Sequence, residues 1–402
     1  MSNPKEIAIA DYDYPLSDSH IAFYPKEERD SSKLLIYKNE IKENVFKNIS
    51  EYLPKDSILI YNNSKVIAAR LYFTSITGAI IEIFCLEPYL QSVEEAMRCT
   101  AQSKWICLIG NAKKFKLDKL ILKDKELEIS ASKVQTMSDG KFIVNFEWNT
   151  KELFASVIDR IGNIPLPPYI KRKTEVKDAK TYQTVFSKIE GSVASSTSGL
   201  HFTAGVFEDL KKKNIETHAI TLHIGAGTFV PVKANTIGEH TIHQEEIIVS
   251  KEFISLLKDN QKFITCVGTT SVRTVESIYW LGVKITEDKI QTEELIIPQW
   301  MPYDNAISIS ISDSLTAILN YLEKRNLDKI RFKSQIIIVP GYKFKFAGAL
   351  ITNFHQPKSS LLLLVSAFIG NAWKEIYNYA LKNGFSFLSY GDSSLLFRNI
   401  NC

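Results

Sequence analysis

Hydrophobic and polar residues follow two different patterns along this chain. Between residues 66 and 150, short stretches such as 127–131 and 142–148 alternate apolar with polar positions. A period of two predicts strands with one buried face, and Asp139-Gly140 predicts a hairpin turn between two of them. We therefore predict a small all-β module here, in the form of a barrel.

Elsewhere, apolar runs of strand length alternate with helical patterns. Strands are predicted at residues 33–37, 56–61, 219–224, 263–267 and 348–352. The last three run into polar loops and helices follow the last two, an order that predicts an α/β sheet with a site at the carboxyl ends of its strands. The predicted architecture is a main α/β domain, residues 1–65 and 151–402, with a β-barrel domain, residues 66–150, inserted near its start.

The composition is that of a folded globular protein. With 402 residues, 45% of them hydrophobic and 23% charged, the chain fits two or three domains and is neither disordered nor fibrous. The longest apolar run, residues 361–369, is too short to cross a bilayer, and residues 1–20 lack the apolar core of a signal peptide. Five scattered cysteines without a C-x-x-C pair favour reduced thiols and a cytoplasmic setting. We also expect a monomer.

Four polar loops follow or precede the predicted elements, at residues 192–201, 223–228, 268–273 and 353–358. Glycine and hydroxyl side chains allow a close approach of the backbone and suit an anionic or hydroxyl-rich ligand. We predict substrate contacts from Ser192, Thr197, Ser198, Gly199, Gly225, Gly227, Thr228, Thr269, Thr270, Ser271, Arg273, Asn353, His355 and Lys358. The loop after Gly225 is not a dinucleotide fingerprint, because Val230 occupies its third glycine position.

Histidines in these loops are the candidates for acid–base chemistry. We predict His223, or failing that His201, as a catalytic base, because an imidazole exchanges a proton near pH 7. The side chain of His223 is expected to point into the loop cluster, and the alternative for each histidine is a structural hydrogen bond. His240-x-x-His243-x-Glu245 contains metal-ligand types, but on a strand His240 would face away from the others, so we expect no metal.

Arg273 is predicted in the first turn of a helix, where the dipole disfavours a cation by about 0.3–1 kcal/mol. Its presence is explained if an anion also docks at the amides of residues 269–271. The alternative is a surface arginine paired with Glu276, three residues further along the helix.

Two basic clusters that include an aromatic residue, 113–116 and 169–173, suit phosphate contact combined with base stacking. From them we predict RNA contacts by Lys113, Lys114, Lys171 and Arg172. Solvated lysines on a turn are the alternative for either cluster.

A series of ordered motifs over nearly the whole chain resembles one family, the S-adenosylmethionine:tRNA ribosyltransferase-isomerases of queuosine biosynthesis. The motifs include Leu166-Pro167-Pro168-Tyr169-Ile170, Gly191-Ser192-Val193-Ala194, Gly199-Leu200-His201-Phe202-Thr203, Thr221-Leu222-His223, Val267-Gly268-Thr269-Thr270-Ser271-Val272-Arg273 and Ile351-Thr352-Asn353-Phe354-His355. The resemblance implies an α/β domain with an inserted β-barrel. It also implies transfer and rearrangement of the ribosyl part of S-adenosylmethionine, consumed as a substrate, onto an aminomethyl-deazaguanine in tRNA.

Some positions depart from the family pattern. Asn63-Ser64-Lys65 replaces Asp-Thr-Arg, Gly110-Asn111 replaces Arg-Pro, and Ser195-Ser196-Thr197-Ser198 replaces Ala-Pro-Thr-Ala. Lysine cannot reproduce a bidentate arginine contact. The competing hypothesis is therefore a paralogue that acts on another base or binds RNA without turnover.

Overall fold

The chain folds around two β-sheets of different kinds. The computed structural model describes residues 3–116, 119–225, 232–259, 262–287, 295–304 and 307–399. Its strands are β1 (Lys33–Tyr37), β2 (Ile41–Val45), β3 (Ile58–Asn62), β4 (Ser64–Val66), β5 (Arg70–Thr74), β6 (Ile80–Pro88), β7 (Gln102–Ile109), β8 (Lys119–Asp124), β9 (Leu127–Thr136), β10 (Phe142–Trp148), β11 (Ile189–Ser192), β12 (Glu216–His223), β13 (Glu245–Ser250), β14 (Ile264–Val267), β15 (Ile296–Ile297), β16 (Lys329–Ser334), β17 (Ala347–Asn353) and β18 (Ser393–Phe397).

The α-helices are α1 (Val93–Arg98), α2 (Phe154–Ile161), α3 (Asp178–Thr181), α4 (Ala204–Lys212), α5 (Lys251–Asp259), α6 (Gly268–Thr286), α7 (Met301–Asp304), α8 (Ile311–Lys324), α9 (Ser360–Ile369) and α10 (Ala372–Lys382). Hydroxyl side chains cap several of them. Thr203 accepts from the N–H of Val206 at the start of α4, and Ser359 accepts from the N–H of Leu362 at the start of α9. These caps fix where the polar loops end and the helices begin.

The larger sheet has ten strands in the order β15-β16-β13-β12-β3-β14-β17-β18-β1-β2. Strands β12, β3, β14 and β17 run parallel to one another, so their carboxyl ends meet at one edge. Apolar side chains cover both faces of this sheet. Ile58 and Ile60 pack in the core beneath α6, whereas Leu59 packs in a second core on the opposite face, with Val206 and Leu210 of α4. Two covered faces explain why the central strands β3 and β14 are largely apolar runs.

The second sheet has six antiparallel strands in the order β5-β6-β7-β10-β9-β8. Cα atoms of β5 and β8 approach within 8 Å, so the sheet curls into a nearly closed barrel. Its core contains Trp105 and Phe146, and it continues past residue 150 to Phe154 and Ile158 of α2. The prediction of an α/β fold with an inserted barrel is confirmed; the exact domain boundaries remain predictions.

The connection between the two parts is formed by a short parallel pair. β4 leads into the barrel, and β11, which follows the barrel in sequence, pairs with it. Glu94 of α1 lies 2.8 Å from Arg331 and 3.5 Å from Lys329, both on β16, and these ion pairs tie the barrel to the main sheet. Among the described helices, none combines the length and the hydropathy that a membrane span requires.

Candidate active site

Three of the four predicted loops converge on one cavity, which we call the loop cavity. It has a volume of ≈ 60 Å³ and lies at the carboxyl ends of the parallel strands. Segments 195–198, 268–270 and 353–356 form most of its wall, and Ile224 enters it from the end of β12. The structure thus brings together these predicted residues: Thr197, Ser198, Thr269, Thr270, Asn353 and His355.

The amino terminus of α6 forms one side of the loop cavity. α6 follows β14 directly, and Gly268 begins it with a φ of +83°. A Cβ at Gly268 would lie 3.3 Å from Oγ of Ser196, so a side chain here would crowd the loop. The N–H groups of a first helical turn lack intrahelical acceptors, and the dipole adds partial positive charge. The cavity therefore offers N–H and hydroxyl donors to an anionic or hydroxyl-rich ligand.

Other predicted substrate contacts lie outside this wall. Ser192 is fully buried and its Oγ donates to Ser64 Oγ at 2.6 Å, while Ser271 Oγ donates to the carbonyl of Val267 at 2.7 Å. Gly199 packs against Phe186, and Lys358 pairs with Asp13 at 2.6 Å. Gly227 and Thr228 lie outside the described residues.

His201 is buried and lines a separate small cavity of ≈ 20 Å³, and both of its ring nitrogens are in hydrogen bonds. Ser32 Oγ lies 2.8 Å from its Nδ1, and Asn353 Nδ2 donates to its Nε2 at 3.2 Å. Burial lowers the pKa of His201 to about 4. This geometry favours the structural alternative for His201. Asn353 lines the loop cavity, and its buried Oδ1 has no hydrogen-bond partner among the described residues.

His355, by contrast, lines the loop cavity itself. Its Nε2 lies 2.9 Å from Oγ1 of Thr352, and its backbone N–H donates to the hydroxyl of Tyr377 at 3.1 Å. Burial lowers the pKa of His355 to about 3, so its imidazole is neutral at physiological pH.

His223 lies elsewhere than predicted. It does not line the loop cavity but a second one, the inter-domain cavity, of ≈ 370 Å³ between the barrel and the main sheet. The reason is the register of the sheet, which places His223 opposite Glu246 on the face of β12 and β13 that the barrel covers. Its buried Nδ1 has no hydrogen-bond partner among the described residues, and burial lowers its pKa to about 4.

The walls of the inter-domain cavity are mainly apolar. The barrel contributes Phe84, Leu86, Pro88, Val93 and Leu108, together with the polar side chains of Glu87, Gln91 and Lys141. The main domain contributes polar groups from three adjacent strands and loops: His223, His243, Glu246 and Lys333. Burial raises the pKa of Glu246 despite the nearby charges of Arg331 and Lys333, and its Oε1 is buried without a partner in the described part of the chain. Such an apolar cavity with a few converging polar groups is typical of ligand sites.

Arg273 does not form the open anion site that the sequence suggested. α6 starts at Gly268, so Arg273 lies in the second turn, and its Nη1 lies 2.6 Å from Oε2 of Glu245. Both side chains are buried. Burial acts to raise the pKa of Glu245, but the charge of Arg273 and the contact with His243 outweigh it and lower that pKa.

Glu276 is not the partner of Arg273 either. Its buried carboxylate accepts hydrogen bonds from the backbone N–H groups of residues 345–347 and from the hydroxyl of Tyr342. The alternative of a surface Arg273–Glu276 pair is therefore wrong. Glu245 in turn lies 3.5 Å from Nε2 of His243, so Arg273 and Glu245 support a side chain of the inter-domain cavity.

The four predicted RNA contacts differ in how exposed they are. Lys113 and Lys114 lie on an exposed turn after β7, and Lys171 is exposed and pairs with Asp18. Arg172 is mostly buried; its guanidinium contacts both oxygens of Asp178 at 2.7 Å and donates to the carbonyl of Phe23. Arg172 is thus already paired within the protein, and its RNA contact has no support from this geometry.

The departures from the family pattern near the barrel connection have structural partners. Lys65 pairs with Glu190 at 2.9 Å, and Asn63 Oδ1 accepts from the hydroxyl of Thr221 at 2.8 Å. Asn111 adopts a left-handed backbone with φ of +57°, and its Nδ2 donates to the carbonyl of Ile80. The fold accommodates these residues through local hydrogen bonds.

Several cavity residues were missing from the sequence prediction. In the loop cavity these are chiefly Tyr169, Gln356 and Ser389, and in the inter-domain cavity Glu246 and Lys333. The sequence around Glu246 does not indicate a binding site, because Glu246 lies opposite His223 only through the pairing of β12 with β13. No group of three or more potential metal ligands occurs in the part of the chain that the structure describes.

The chain thus combines an α/β sheet, which has a polar cavity at its parallel strand ends, with a barrel-like antiparallel sheet and a second cavity between the two. This is the architecture of an α/β protein with an inserted barrel. The family model for queuosine biosynthesis proteins matches residues 9–396, and the chain belongs to this family.

The relatives carry one activity in their names. The S-adenosylmethionine:tRNA ribosyltransferase-isomerase of Sulfurihydrogenibium sp. (strain YO3AOP1) is 36% identical over 397 residues, 96% of this chain and 99% of that protein. The protein of the same name from Fusobacterium nucleatum subsp. nucleatum is 35% identical, with 97% of each chain covered. A crystal structure of an S-adenosylmethionine tRNA ribosyltransferase from Thermotoga maritima is 27% identical, covers 96% of this chain and 99% of that one, and has a TM-score of 0.46.

Proposed function

We propose that this chain transfers the ribosyl group of S-adenosylmethionine to the aminomethyl-deazaguanine base at the wobble position of tRNA and isomerises it. The product is epoxyqueuosine in tRNA, and adenine and methionine are released. The observation that carries the proposal is the hydroxyl-lined loop cavity at the amino terminus of α6, in a chain 36% identical to a relative named for this activity.

The loop cavity supplies the groups that the sulfonium substrate needs. Amides at the start of α6 suit the methionine carboxylate, and the hydroxyls of residues 195–198 suit the ribose. A volume of ≈ 60 Å³ holds only a few atoms, so the rest of this substrate extends beyond the loop cavity.

A base is needed to begin the reaction. The sulfonium acidifies the adjacent 5′ carbon. When a base removes a proton there, the electron pair forms a C4′–C5′ double bond and the C4′–O4′ bond breaks. O4′ then forms a carbonyl with C1′, and adenine leaves with the electron pair of its bond to C1′. We assign this base to His223, because its Nδ1 has no partner among the described residues whereas both ring nitrogens of His201 are occupied. The lowered pKa, about 4, keeps the His223 imidazole neutral at pH 7.

The experiment is an assay of adenine release from S-adenosylmethionine. One tRNA carries the aminomethyl-deazaguanine, and the matched control tRNA carries guanine at the same position. We expect adenine from the first reaction only. Release at the same rate from both tRNAs would contradict the assignment of the acceptor base.

The second candidate is an RNA-binding protein without turnover, which the departures from the family pattern suggested. It predicts salt-sensitive tRNA binding with no adenine release from any tRNA pool. Asn63, Lys65 and Asn111 have local partners, so these departures fit the fold of the enzyme family. Together with the relatives' names, this favours the enzyme. We also propose a cytoplasmic location, which suits a tRNA substrate, and a monomer.

A further inference from the structure

The inter-domain cavity has the volume and the walls of a site for a planar ring. At ≈ 370 Å³ it is several times larger than the loop cavity, and Phe84, Leu86 and Leu108 of the barrel face the strands of the main sheet across it. Enzymes that modify a base in a nucleic acid take the base out of its stack into such a pocket, between apolar and aromatic side chains.

Three buried polar atoms in this cavity have no hydrogen-bond partner among the described residues: Nδ1 of His223, Oε1 of Glu246 and Nε2 of His243. Nε2 of His243 lies 3.5 Å from the Glu245 carboxylate, whereas the side chains of His223 and Glu246 are cross-strand neighbours in the register of β12 and β13. Leaving such groups without partners is costly, so an unsatisfied pair in one cavity indicates a ligand that carries complementary donors.

The two cavities share a wall. Ile224 lines both, and the consecutive residues Pro168 and Tyr169 line the inter-domain and the loop cavity respectively. A group bound in one cavity can therefore reach a group bound in the other past the end of β12, where His223 is located.

We propose that the inter-domain cavity binds the nucleobase of the tRNA substrate that is modified, with Glu246 accepting hydrogen bonds from adjacent N–H groups of a guanine-type edge. The inference rests on the function proposed above, and it assigns the acceptor base of that reaction to the inter-domain cavity. An ionised carboxylate accepts only, and a guanine-type edge offers two neighbouring donors. Adenine, the competing base from the sulfonium substrate, offers one donor beside a ring acceptor and matches the carboxylate less well.

The test is the variant Glu246→Gln, assayed by adenine release with each substrate varied in turn. We expect kcat/KM for the modified tRNA to fall about 10- to 100-fold, because an amide in place of the carboxylate presents a donor to a donor. The KM for S-adenosylmethionine should stay within about twofold of the wild-type value. Glu323→Gln, the same change at an exposed position of α8, is the matched control.

A second variant distinguishes a loss of base binding from a folding defect. Leu108 is 45% exposed on β7 and lines the cavity, so Leu108→Lys should fold and obstruct the base. This variant should raise the KM for tRNA and leave the KM for S-adenosylmethionine unchanged.

A rise in the KM for S-adenosylmethionine with unchanged tRNA kinetics would place adenine here and overturn the inference. Unchanged kinetics for both substrates would also overturn it. Absence of adenine release from the wild-type enzyme would overturn the proposed function itself, and the inference with it.

Discussion

Burial keeps the imidazole of His223 neutral, which is the form that can accept a proton. We expect His223→Gln to lower the rate of adenine release about 10²- to 10⁴-fold, the usual contribution of a general base. Binding of S-adenosylmethionine and tRNA, measured by calorimetry, should remain, since glutamine fills a similar volume. An equal loss of binding would show that His223 holds a substrate and is not the base.

The same residue predicts a pH dependence. With a pKa of about 4, His223 carries a proton only in acid, so kcat/KM should be level at neutral pH and fall as the pH drops through about 4. A fall centred near pH 6.5 would reveal an unperturbed histidine and contradict the assignment. Unfolding at each pH, followed by circular dichroism, separates loss of activity from loss of structure.

The buried pair of Arg273 and Glu245 predicts an effect on stability. Arg273→Ala leaves the Glu245 carboxylate buried without its cation, which costs about 3–5 kcal/mol. Urea unfolding should show this loss, and combining it with Glu245→Gln should recover part of it. The open anion site expected from the sequence would have left stability unchanged, so an undiminished free energy of unfolding would restore that interpretation.

Two glycines test how closely the helices pack. A Cβ at Gly282 of α6 would lie 2.1 Å from Oγ and 2.2 Å from the carbonyl oxygen of Ser314 in α8. Gly282→Ala should therefore lower the free energy of unfolding by about 1–3 kcal/mol. Gly205 of α4 is exposed, and a Cβ there would have only Thr203 Oγ1 nearby, at 3.8 Å, so Gly205→Ala should stabilise by about 0.5–1 kcal/mol. Thermal melts of the two variants should therefore shift in opposite directions.

Elements with strong local signals were predictable from the sequence. β1 has the predicted bounds because Lys33–Tyr37 is an uninterrupted strand-forming run. The start of α6 was predicted too late, because Gly268 enters the helix directly from β14 without a side-chain cap. Loops at strand ends could be predicted to meet, since parallel strands share an edge. The inter-domain cavity could not be predicted, because it depends on how β12, β13 and β16 pair and on where the barrel packs against them.

On the surface of the molecule, Lys113 and Lys114 form an exposed basic turn that we expect to contact RNA. Changing Lys113 and Lys114 together to alanine should weaken tRNA binding and reduce the slope of log K against log salt by about 2, close to one for each lost phosphate contact. Lys211 and Lys212, an adjacent pair on α4, provide the matched control. Binding that is unchanged across the salt series would identify Lys113 and Lys114 as solvated surface residues.

The order of strands in the two sheets has a consequence for how the chain folds during synthesis. All six barrel strands lie between Arg70 and Trp148, whereas β1 pairs with β18, whose last residue is Phe397. Domains fold as units while the ribosome works, and long-range pairings come last. The barrel can thus form early. Meanwhile β3, and the edge of β1 that does not pair with β2, wait for partners translated much later. Open edges of apolar strands are prone to pair with other chains, so the nascent chain is most liable to aggregate between the synthesis of β3 and that of its partners.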